Sequence, residues 1–309
     1  MITVTLIGTS ALLPLPDRAL TAALLTANGR SVLFDCGEGT QSAARKAGVS
    51  LMKTDLVALT HYHGDHIFGL PGLIQTMNVL GRTEPLFITG PEGLTEELEP
   101  ILKLAGRIGY EIRLIELPNE GLALAALNGN WPGGAKLTAF KTEHTVPSRG
   151  YCFTLERAGR FLPEKAEALG VPNTLWGLLQ KGQSVRAAGR TVLPSEVLGA
   201  PRKGLKFVFT GDTRACESLA AACEGADLLI SDATYGENDQ ALLASDHGHM
   251  NFAQAAAIAA KAGVKELWLA HYSQMIREPE DCLANAKELF ANTVCGRDGM
   301  SAVLRFENG

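Results

Sequence analysis

The chain has 309 residues, enough for one large α/β domain with an insertion. Hydrophobic residues make up 46% of it and charged residues 20%, a composition typical of globular proteins that excludes a disordered chain. No apolar run approaches the ~20 residues of a membrane-spanning helix, so we expect no membrane partner.

The first ten residues, MITVTLIGTS, contain no basic segment before their apolar run. They therefore predict a first strand rather than a signal peptide. The six cysteines form no CxxC pair and show no disulfide-framework spacing, which favours reduced thiols. We expect a cytoplasmic protein.

The formal net charge of −5 would disfavour a nucleic-acid partner if it were spread evenly. The charge is unevenly distributed instead. Residues 157–206 contain nine basic and three acidic side chains and carry a net charge of +6, which leaves −11 for the rest of the chain. Glycine and proline interrupt this segment. We interpret residues 157–206 as a basic arm inserted in a single domain spanning residues 1–309; the arm is either a solvated excursion or a contact for a polyanion.

Apolar segments typical of strands alternate with helical patterns, which predicts an α/β fold in which helices cover sheets. The predicted strands are residues 2–8, 31–37, 56–61, 86–90, 137–144, 150–155, 206–212, 227–233 and 266–271. Helices are predicted after Gly39 and over residues 91–106, 217–225 and 251–263. Several strands end in histidine or aspartate, and strand ends share one edge of a sheet, so these side chains should gather at one rim.

The sequence HYHGDH places four metal-binding residue types at the end of the third predicted strand: His61, His63, Asp65 and His66. Imidazole nitrogen and carboxylate oxygen suit first-row divalent ions. In an extended or turning segment His61 and His63 point the same way, whereas Asp65 and His66 face a second point. One ion would leave ligands unused, so the motif predicts two.

Three further candidate ligands stand at ends of predicted strands: His144, Asp212 and His271. If Asp212 bridges, it completes one set with His61, His63 and His144, and a second set with Asp65, His66 and His271. A shared carboxylate would hold the ions ~3.5–4 Å apart, as two-metal hydrolysis requires. A lone strand-end histidine is usually a surface or core residue, but all seven histidines of this chain lie in four such segments.

The order HYHGDH, His144, TGDT and AHYSQ resembles the metallo-β-lactamase superfamily. A narrower resemblance, to ribonuclease Z, the tRNA 3′-end-processing endonuclease, covers nearly the whole chain and is carried by GTSALLP, LFDCGEGTQ, THYHGDHIFGLPGL, EHTVPSRGY, KFVFTGDTR and GHMNFAQAAAIAAKAGVKELWLAHYSQ. It implies a four-layer αββα sandwich with an inserted, exosite-like arm, two zinc ions, a homodimer, and cleavage of pre-tRNA that leaves a 3′-hydroxyl. The same ligands also suit manganese or iron.

Roles for individual residues follow from the chemistry of the groups for Asp65 and from the resemblance for His249 and Asp232. Asp65 would orient or deprotonate the attacking water. His249, five residues before Gln254, would protonate the leaving 3′-oxygen, and Asp232 would orient His249 and favour its protonated form. His247 is either a rival for that role or an exposed loop histidine.

Each of three residues near the predicted ligands can be interpreted in two ways. Asp35 either holds a ligating histidine or belongs to an ordinary strand-to-helix turn. Ser148 and Arg149, beside His144, either contact a phosphate or cap a loop.

The sequence departs from the family pattern in regions that would read tRNA. The loop PLPDRA keeps Arg18, but Asp17 adds negative charge and Ala19 replaces an expected asparagine. In the arm, PNTLW replaces a Pro-Gly-Pro turn, and Asp232 is one methylene shorter than the expected glutamate. The alternatives are therefore a metallohydrolase of small phosphodiesters or other ester-like substrates, and a non-catalytic RNA-binding scaffold.

Overall fold

Two seven-stranded mixed sheets form the centre of the protein in the computed structural model, which describes residues 1–307. The first sheet contains, in pairing order, β16 (Ser301–Leu304), β1 (Ile2–Gly8), β2 (Ala22–Ala27), β3 (Arg30–Phe34), β4 (Thr54–Ala58), β5 (Leu86–Thr89) and β6 (Ile112–Leu114). Strands β3 to β6 are parallel, and β16, β1, β2 and β3 pair antiparallel.

The second sheet contains, in pairing order, β15 (Thr293–Cys295), β14 (Leu267–Ala270), β13 (Leu228–Asp232), β12 (Arg202–Phe209), β9 (Arg149–Arg157), β8 (Ala135–Lys141) and β7 (Leu122–Ala123). Strands β12 to β15 are parallel, whereas β12, β9, β8 and β7 pair antiparallel. The carboxyl ends of β12, β13 and β14 therefore lie at one edge of this sheet.

Helices cover the outer face of each sheet. The first sheet is covered by α1 (Thr40–Lys46), α2 (Gly64–Ile67), α3 (Leu70–Val79) and α4 (Leu94–Ala105). Against the second lie α8 (Glu217–Cys223), α10 (Phe252–Lys261) and α11 (Leu283–Lys287), with α9 (Ala241–Asp246) before α10. Short 3₁₀ turns occupy Leu124–Ala126, Asn238–Gln240 and Pro279–Cys282. Among the described residues no helix is both long and apolar enough to cross a bilayer.

The core between the sheets is aromatic at its centre. The Phe34 ring of β3 lies 6.0, 5.5 and 5.6 Å from the rings of Tyr151, Phe207 and Phe209, which come from the facing sheet. Such pairs add about 0.5–1.5 kcal/mol each beyond the area they bury. The neighbouring Leu33 points the other way, into the layer beneath the helices. Both faces of the sheet are thus buried, and the predicted four-layer αββα sandwich is confirmed.

The chain between β9 and β12 leaves the sheet. It forms α5 (Pro163–Ala168), α6 (Asn173–Gln180), the hairpin of β10 (Val185–Ala187) and β11 (Arg190–Val192), and α7 (Pro194–Val197). Its buried residues pack among themselves in a small core that includes Ala166, Leu179, Val192 and Val197. We call residues 158–201 the arm segment. The predicted arm, residues 157–206, also includes the last residue of β9 and the first five of β12, and four of its nine basic residues lie on those strands: Arg157, Arg202, Lys203 and Lys206.

Candidate metal centre

Ends of strands and the loops after them deliver the predicted ligands to one rim. His61 lies three residues beyond β4, and Asp212 lies three residues beyond β12. His271 follows β14 directly, and His144 lies in the loop between β8 and β9. The two sheets therefore contribute ligands from both sides of the sandwich to a single buried cluster.

The first predicted ligand set is brought together. The Nδ1 atom of His63 lies 3.0 Å from His61 Nε2 and 3.3 Å from His144 Nε2. Asp212 Oδ2 lies 3.6 Å from His61 Nε2 and 3.9 Å from His144 Nε2. Three ring nitrogens and one carboxylate oxygen thus face a common point.

The second predicted set forms a neighbouring cluster. The Nε2 atoms of His66 and His271 are 3.3 Å apart, and Asp65 Oδ2 lies 3.6 and 3.5 Å from them. Asp212 reaches this set as well, with Oδ1 3.4 Å from His66 Nε2 and Oδ2 3.3 Å from His271 Nε2. Asp212 therefore contacts both ligand sets.

Hydrogen bonds at the far side of the rings fix the histidines from β4 and α2. His66 Nδ1 donates to Asp35 Oδ2 at 2.8 Å, so Asp35 does hold one of the predicted ligands. The Thr60 hydroxyl donates to the same Asp35 oxygen at 2.8 Å and can accept from His61 Nδ1 at 3.0 Å. With Nδ1 occupied, both rings present Nε2 to the centre.

The histidines from the second sheet are fixed in the same way. His271 Nδ1 lies 2.9 Å from the Thr234 hydroxyl, and His144 Nδ1 donates to the Gly248 carbonyl at 2.9 Å. Sequence reasoning missed Thr234 and Gly248. The only signal for Thr234 was its place two residues after Asp232, and nothing in the sequence marks a backbone carbonyl as a histidine partner.

Burial and neighbouring charge set the protonation of the cluster. Burial lowers the pKa of His61 well below its usual value and lowers that of His144, so both rings are neutral, the form that binds metals. Burial opposes ionisation of Asp212, but the imidazoles of His271 and His66 hold its pKa well below its usual range. At His66 burial opposes protonation, but the carboxylates of Asp212 and Asp35 raise the pKa well above its usual value. The cluster thus combines the neutral rings of His61 and His144 with an ionised Asp212.

The arrangement fits divalent cations. Asp212 Oδ1 is buried and has no hydrogen-bond donor among the described residues, a state that costs free energy unless something else compensates it. The ring nitrogens of His61, His63 and His144 also point at one another, which only a proton or a cation between them would stabilise. These side chains can bind divalent metal ions.

Two backbone features support the site. Asp35 and His271 have φ values of 56° and 60°, in the left-handed region that non-glycine residues rarely adopt. Leu12 has φ 60°, and its N–H donates to Asp65 Oδ2 at 2.8 Å. Three of the five non-glycine residues with positive φ among residues 1–307 thus belong to this site or touch it.

His249 and Asp232 form a pair at the edge of the cluster. His249 Nδ1 lies 2.8 Å from Asp232 Oδ2 and 4.0 Å from Asp212 Oδ2. Burial opposes protonation, but the Asp232 carboxylate raises the pKa of His249 to about 9. Its ring lies 4.9 Å from that of His144 and 5.4 Å from that of His271. His249 is thus protonated at neutral pH and lies beside both ligand sets.

Two other predicted candidates lie apart from the cluster. His247 is exposed, and its Nδ1 lies 2.6 Å from the Tyr235 hydroxyl. Arg18 is buried, donates from Nη2 to the Ile276 carbonyl at 2.7 Å, and stacks over the Tyr272 ring. Arg18 therefore joins two loops next to His271 instead of projecting from the surface.

Comparisons with known proteins agree with this site. Residues 2–161 match the family model described as Anti-Pycsar protein Apyc1, and residues 182–272 match that of the Beta-lactamase superfamily domain. The metallo-β-lactamase fold protein YhfI from Bacillus subtilis superposes with a TM-score of 0.68 over 97% of this chain and 98% of its own, at 24% identity. Fold and site together define a metal-dependent hydrolase of the β-lactamase superfamily.

Full-length relatives give the family. A ribonuclease Z of Agathobacter rectalis is 42% identical over 99% of both chains, and one of Lachnoclostridium phytofermentans is 40% identical over the same shares. The structure of human tRNase Z, short form, is 26% identical and has a TM-score of 0.67 over 98% of this chain and all of its own. The chain belongs to the ribonuclease Z family.

Proposed function

We propose that the protein is a cytoplasmic endonuclease that hydrolyses one phosphodiester of pre-tRNA and releases its 3′ trailer. The observation that carries this proposal is the position of Asp212, within 3.3–3.9 Å of ligand atoms from both sets. Relatives named ribonuclease Z over the full chain support an RNA substrate. The six cysteines are unpaired, and the cytoplasm would keep them reduced.

The proposed ligands are His61, His63, His144 and Asp212 for one divalent ion, and Asp65, His66, His271 and Asp212 for the other. Zinc fits this mixture of imidazole and carboxylate, and manganese or iron could replace it. When bound, such ions activate water near neutral pH and neutralise charge on phosphate oxygens. The protein's own part is to hold their ligands rigidly, through Asp35, Thr60 and Thr234.

Asp65 is our candidate for orienting the attacking water. One of its oxygens, Oδ2, accepts the Leu12 N–H and faces His66 and His271, so the carboxylate is fixed in place. A carboxylate held at the ligand cluster can accept a proton from a water that binds there. Asp65 would thus be both ligand and base.

His249 is our candidate acid. An RNA 3′-alkoxide is a poor leaving group, so it must be protonated as the P–O bond breaks. His249 carries the proton on the side of the cluster formed by β13, and Asp232 holds the charged ring through the 2.8 Å contact. Two backbone N–H groups, of Thr213 and Thr234, bind the Asp232 carboxylate at 3.0 Å and fix it in turn.

The arm segment is our candidate for RNA contact outside the metal centre. It begins and ends at the edge of the second sheet opposite Asp212, because β12 runs from Arg202 toward the metal centre. Eight residues of strand span roughly 26 Å. Basic side chains at that distance would bind phosphates of the folded tRNA instead of the scissile one.

Hydrolysis of small phosphodiesters is the second candidate function. It is favoured by Arg18, whose guanidinium is buried between two loops and does not reach solvent as an RNA-reading side chain would. The metal centre would act on either substrate, so the two functions differ only in what binds around it. Measuring the rates at which the protein hydrolyses pre-tRNA and a small diester distinguishes the two functions.

The decisive assay uses pre-tRNA with a 3′ trailer and zinc-loaded protein. We expect one cut at the 3′ end of the tRNA, giving a 3′-hydroxyl and a trailer with a 5′-phosphate, mapped by primer extension and end-labelling. Asp212→Ala should abolish this cut and the hydrolysis of bis-p-nitrophenyl phosphate, whereas Asp239→Ala, an exposed acid, should change neither. Activity of Asp212→Ala with normal metal content would disprove the shared-ligand arrangement.

The acid role of His249 is tested by the leaving group. His249→Ala should slow cleavage of pre-tRNA by about 10²-fold or more, because an alkoxide needs the proton. Bis-p-nitrophenyl phosphate releases a stable nitrophenolate and should be slowed far less. His247→Ala is the matched control. Equal losses on both substrates would remove His249 from this role, and a selective loss in His247→Ala would transfer the role to that residue.

The role of the arm is tested by deletion. Arg157 and Arg202 are paired across β9 and β12, so a short glycine linker can replace residues 160–200 without moving either strand. The variant should hydrolyse bis-p-nitrophenyl phosphate normally but cleave pre-tRNA with a lower kcat/KM and a weaker dependence on salt. Undiminished cleavage of pre-tRNA would show that the arm does not bind RNA.

We also propose that the protein forms a homodimer through the outer surface of α3. Val79 and Leu80 are 79% and 63% exposed and border a groove of about 830 Å³ between α1 and α3. Sedimentation should show a dimer at micromolar concentration and a monomer for Leu80→Glu. Leu242→Glu, at a leucine on α9 that is 81% exposed, should remain dimeric. A wild-type monomer would contradict the proposal.

A further inference from the structure

A cleft of about 370 Å³ opens beside the metal centre and has no part in the mechanism above. This volume is in the range of small-ligand sites, roughly 300–1,000 Å³. Pro91 and Pro118 form part of its apolar wall, and its charged side chains are Lys141, Arg149 and Glu92. We call it the flanking cleft.

The flanking cleft is built on the same hairpin that carries a metal ligand. Lys141 is the last residue of β8 and Arg149 the first of β9, and the two are paired across the hairpin whose loop contains His144. The Arg149 N–H donates to the carbonyl of Thr60, the residue before His61, at 2.9 Å. The two cations therefore stand at the base of the loop that places His144.

A second connection comes from the HYHGDH segment. Tyr62, between His61 and His63, donates from its hydroxyl to the Pro91 carbonyl at 2.7 Å. The wall of the flanking cleft is thus bonded to the segment that supplies the first ligand set. The flanking cleft is therefore joined to the segments that carry His61, His63 and His144.

The position of His249 indicates which nucleotide of the RNA would enter the flanking cleft. His249 protonates the 3′-oxygen of the upstream nucleotide in the proposed reaction, so that nucleotide must lie at the β13 side, near Asp232 and Thr234. None of these three residues lines the flanking cleft. The nucleotide on the other side of the scissile phosphate is the first nucleotide of the trailer, which retains that phosphate after cleavage. This nucleotide is therefore the one that would enter the flanking cleft.

The charges of the cleft fit the next phosphate along the RNA. Lys141 and Arg149 outnumber the one carboxylate, Glu92. The ion pairs found among the described residues are made by other cations. Two cations without a carboxylate partner, on the hairpin that carries His144, suit a phosphodiester that leads away from the site.

We propose that the flanking cleft binds the first trailer nucleotide and that Lys141 and Arg149 contact the phosphate on its 3′ side. The inference rests on the proposed function and adds to it a subsite on the product that the tRNA does not retain. Such a subsite would favour trailers longer than one nucleotide, because a trailer of a single nucleotide has no phosphate on its 3′ side.

Equilibrium binding tests the subsite without turnover. Uridine 3′,5′-bisphosphate carries both phosphates of the first trailer nucleotide, and uridine 5′-monophosphate lacks the 3′ one. By calorimetry with the zinc-loaded full chain, the bisphosphate should bind about tenfold more tightly, as expected for a charge-assisted contact. Equal affinities of the two ligands would overturn the proposal.

Variants then assign the contact. Lys141→Ala, at an exposed position, and Arg149→Ala should each remove most of the bisphosphate advantage. Lys261→Ala, an exposed lysine on α10, should preserve it. An advantage that persists in both cleft variants would overturn the proposal, since a second phosphate bound at the metals would then explain it. If Arg149→Ala does not fold, the affinities of Lys141→Ala for the two nucleotides decide whether the cleft binds the 3′ phosphate.

Cleavage separates this inference from the proposed function. Pre-tRNA with a two-nucleotide trailer should be cut with a several-fold higher kcat/KM than pre-tRNA with a one-nucleotide trailer, and Lys141→Ala should cancel the difference. Equal rates in the wild type would overturn the subsite and leave the endonuclease intact. A wild type that cuts neither RNA, and does not hydrolyse bis-p-nitrophenyl phosphate, would overturn both.

Discussion

The contact on which the rest of the site depends is that of one buried carboxylate with four imidazoles. Asp212 is only 3% exposed, and its oxygens lie within 3.3–3.9 Å of His61, His66, His144 and His271. An ionised carboxylate without compensation costs several kcal/mol in such surroundings. The imidazoles lower that cost, but Oδ1 has no hydrogen-bond donor among residues 1–307, and a cation bound beside it would compensate its charge.

The surrounding fold keeps this costly arrangement in place. Left-handed backbone at Asp35 and His271 costs about 1–3 kcal/mol per residue. Each strained residue is tied to the cluster: Asp35 by hydrogen bonds to Thr60 and His66, and His271 by its bond to Thr234. The strained turns allow the chain to leave β3 and β14 and still aim these side chains at the centre. Strain at the site is thus offset by the buried sheets beneath it.

Much of the fold and the ligand set could be predicted because residue type carries the information. The predicted strands ending near His61, Asp212 and His271 correspond to β4, β12 and β14, and each candidate ligand lies in the cluster. Strand β2 was missed because AALLTA, rich in alanine and leucine, has little intrinsic strand preference. It is a strand because β1 and β3 pair with both of its edges.

What could not be predicted were contacts made by common groups from distant segments. The Gly248 carbonyl, the Leu12 N–H and the Thr234 hydroxyl carry no chemical signature, yet each fixes one ligand. Arg18 is a second case, since the family pattern placed it in a loop that would read tRNA, whereas its guanidinium is buried and bonded to the Ile276 carbonyl. Residue type predicts which groups can bind a metal, whereas the fold decides which backbone atoms hold them.

The two ends of β12 lead to two separately packed parts of the protein. Its carboxyl end leads to Asp212, whose surroundings are buried and leave little freedom for substitution. Its amino end leads from the arm segment, which has a hydrophobic core of its own and can change without disturbing the metal centre. Of the three departures from the family pattern, PNTLW lies in the arm segment, whereas PLPDRA lies next to His271 and Asp232 contacts His249. The arm segment and the residues around Asp212 are thus stabilised by different parts of the fold, so the sequence of the arm can change while the cluster keeps its geometry.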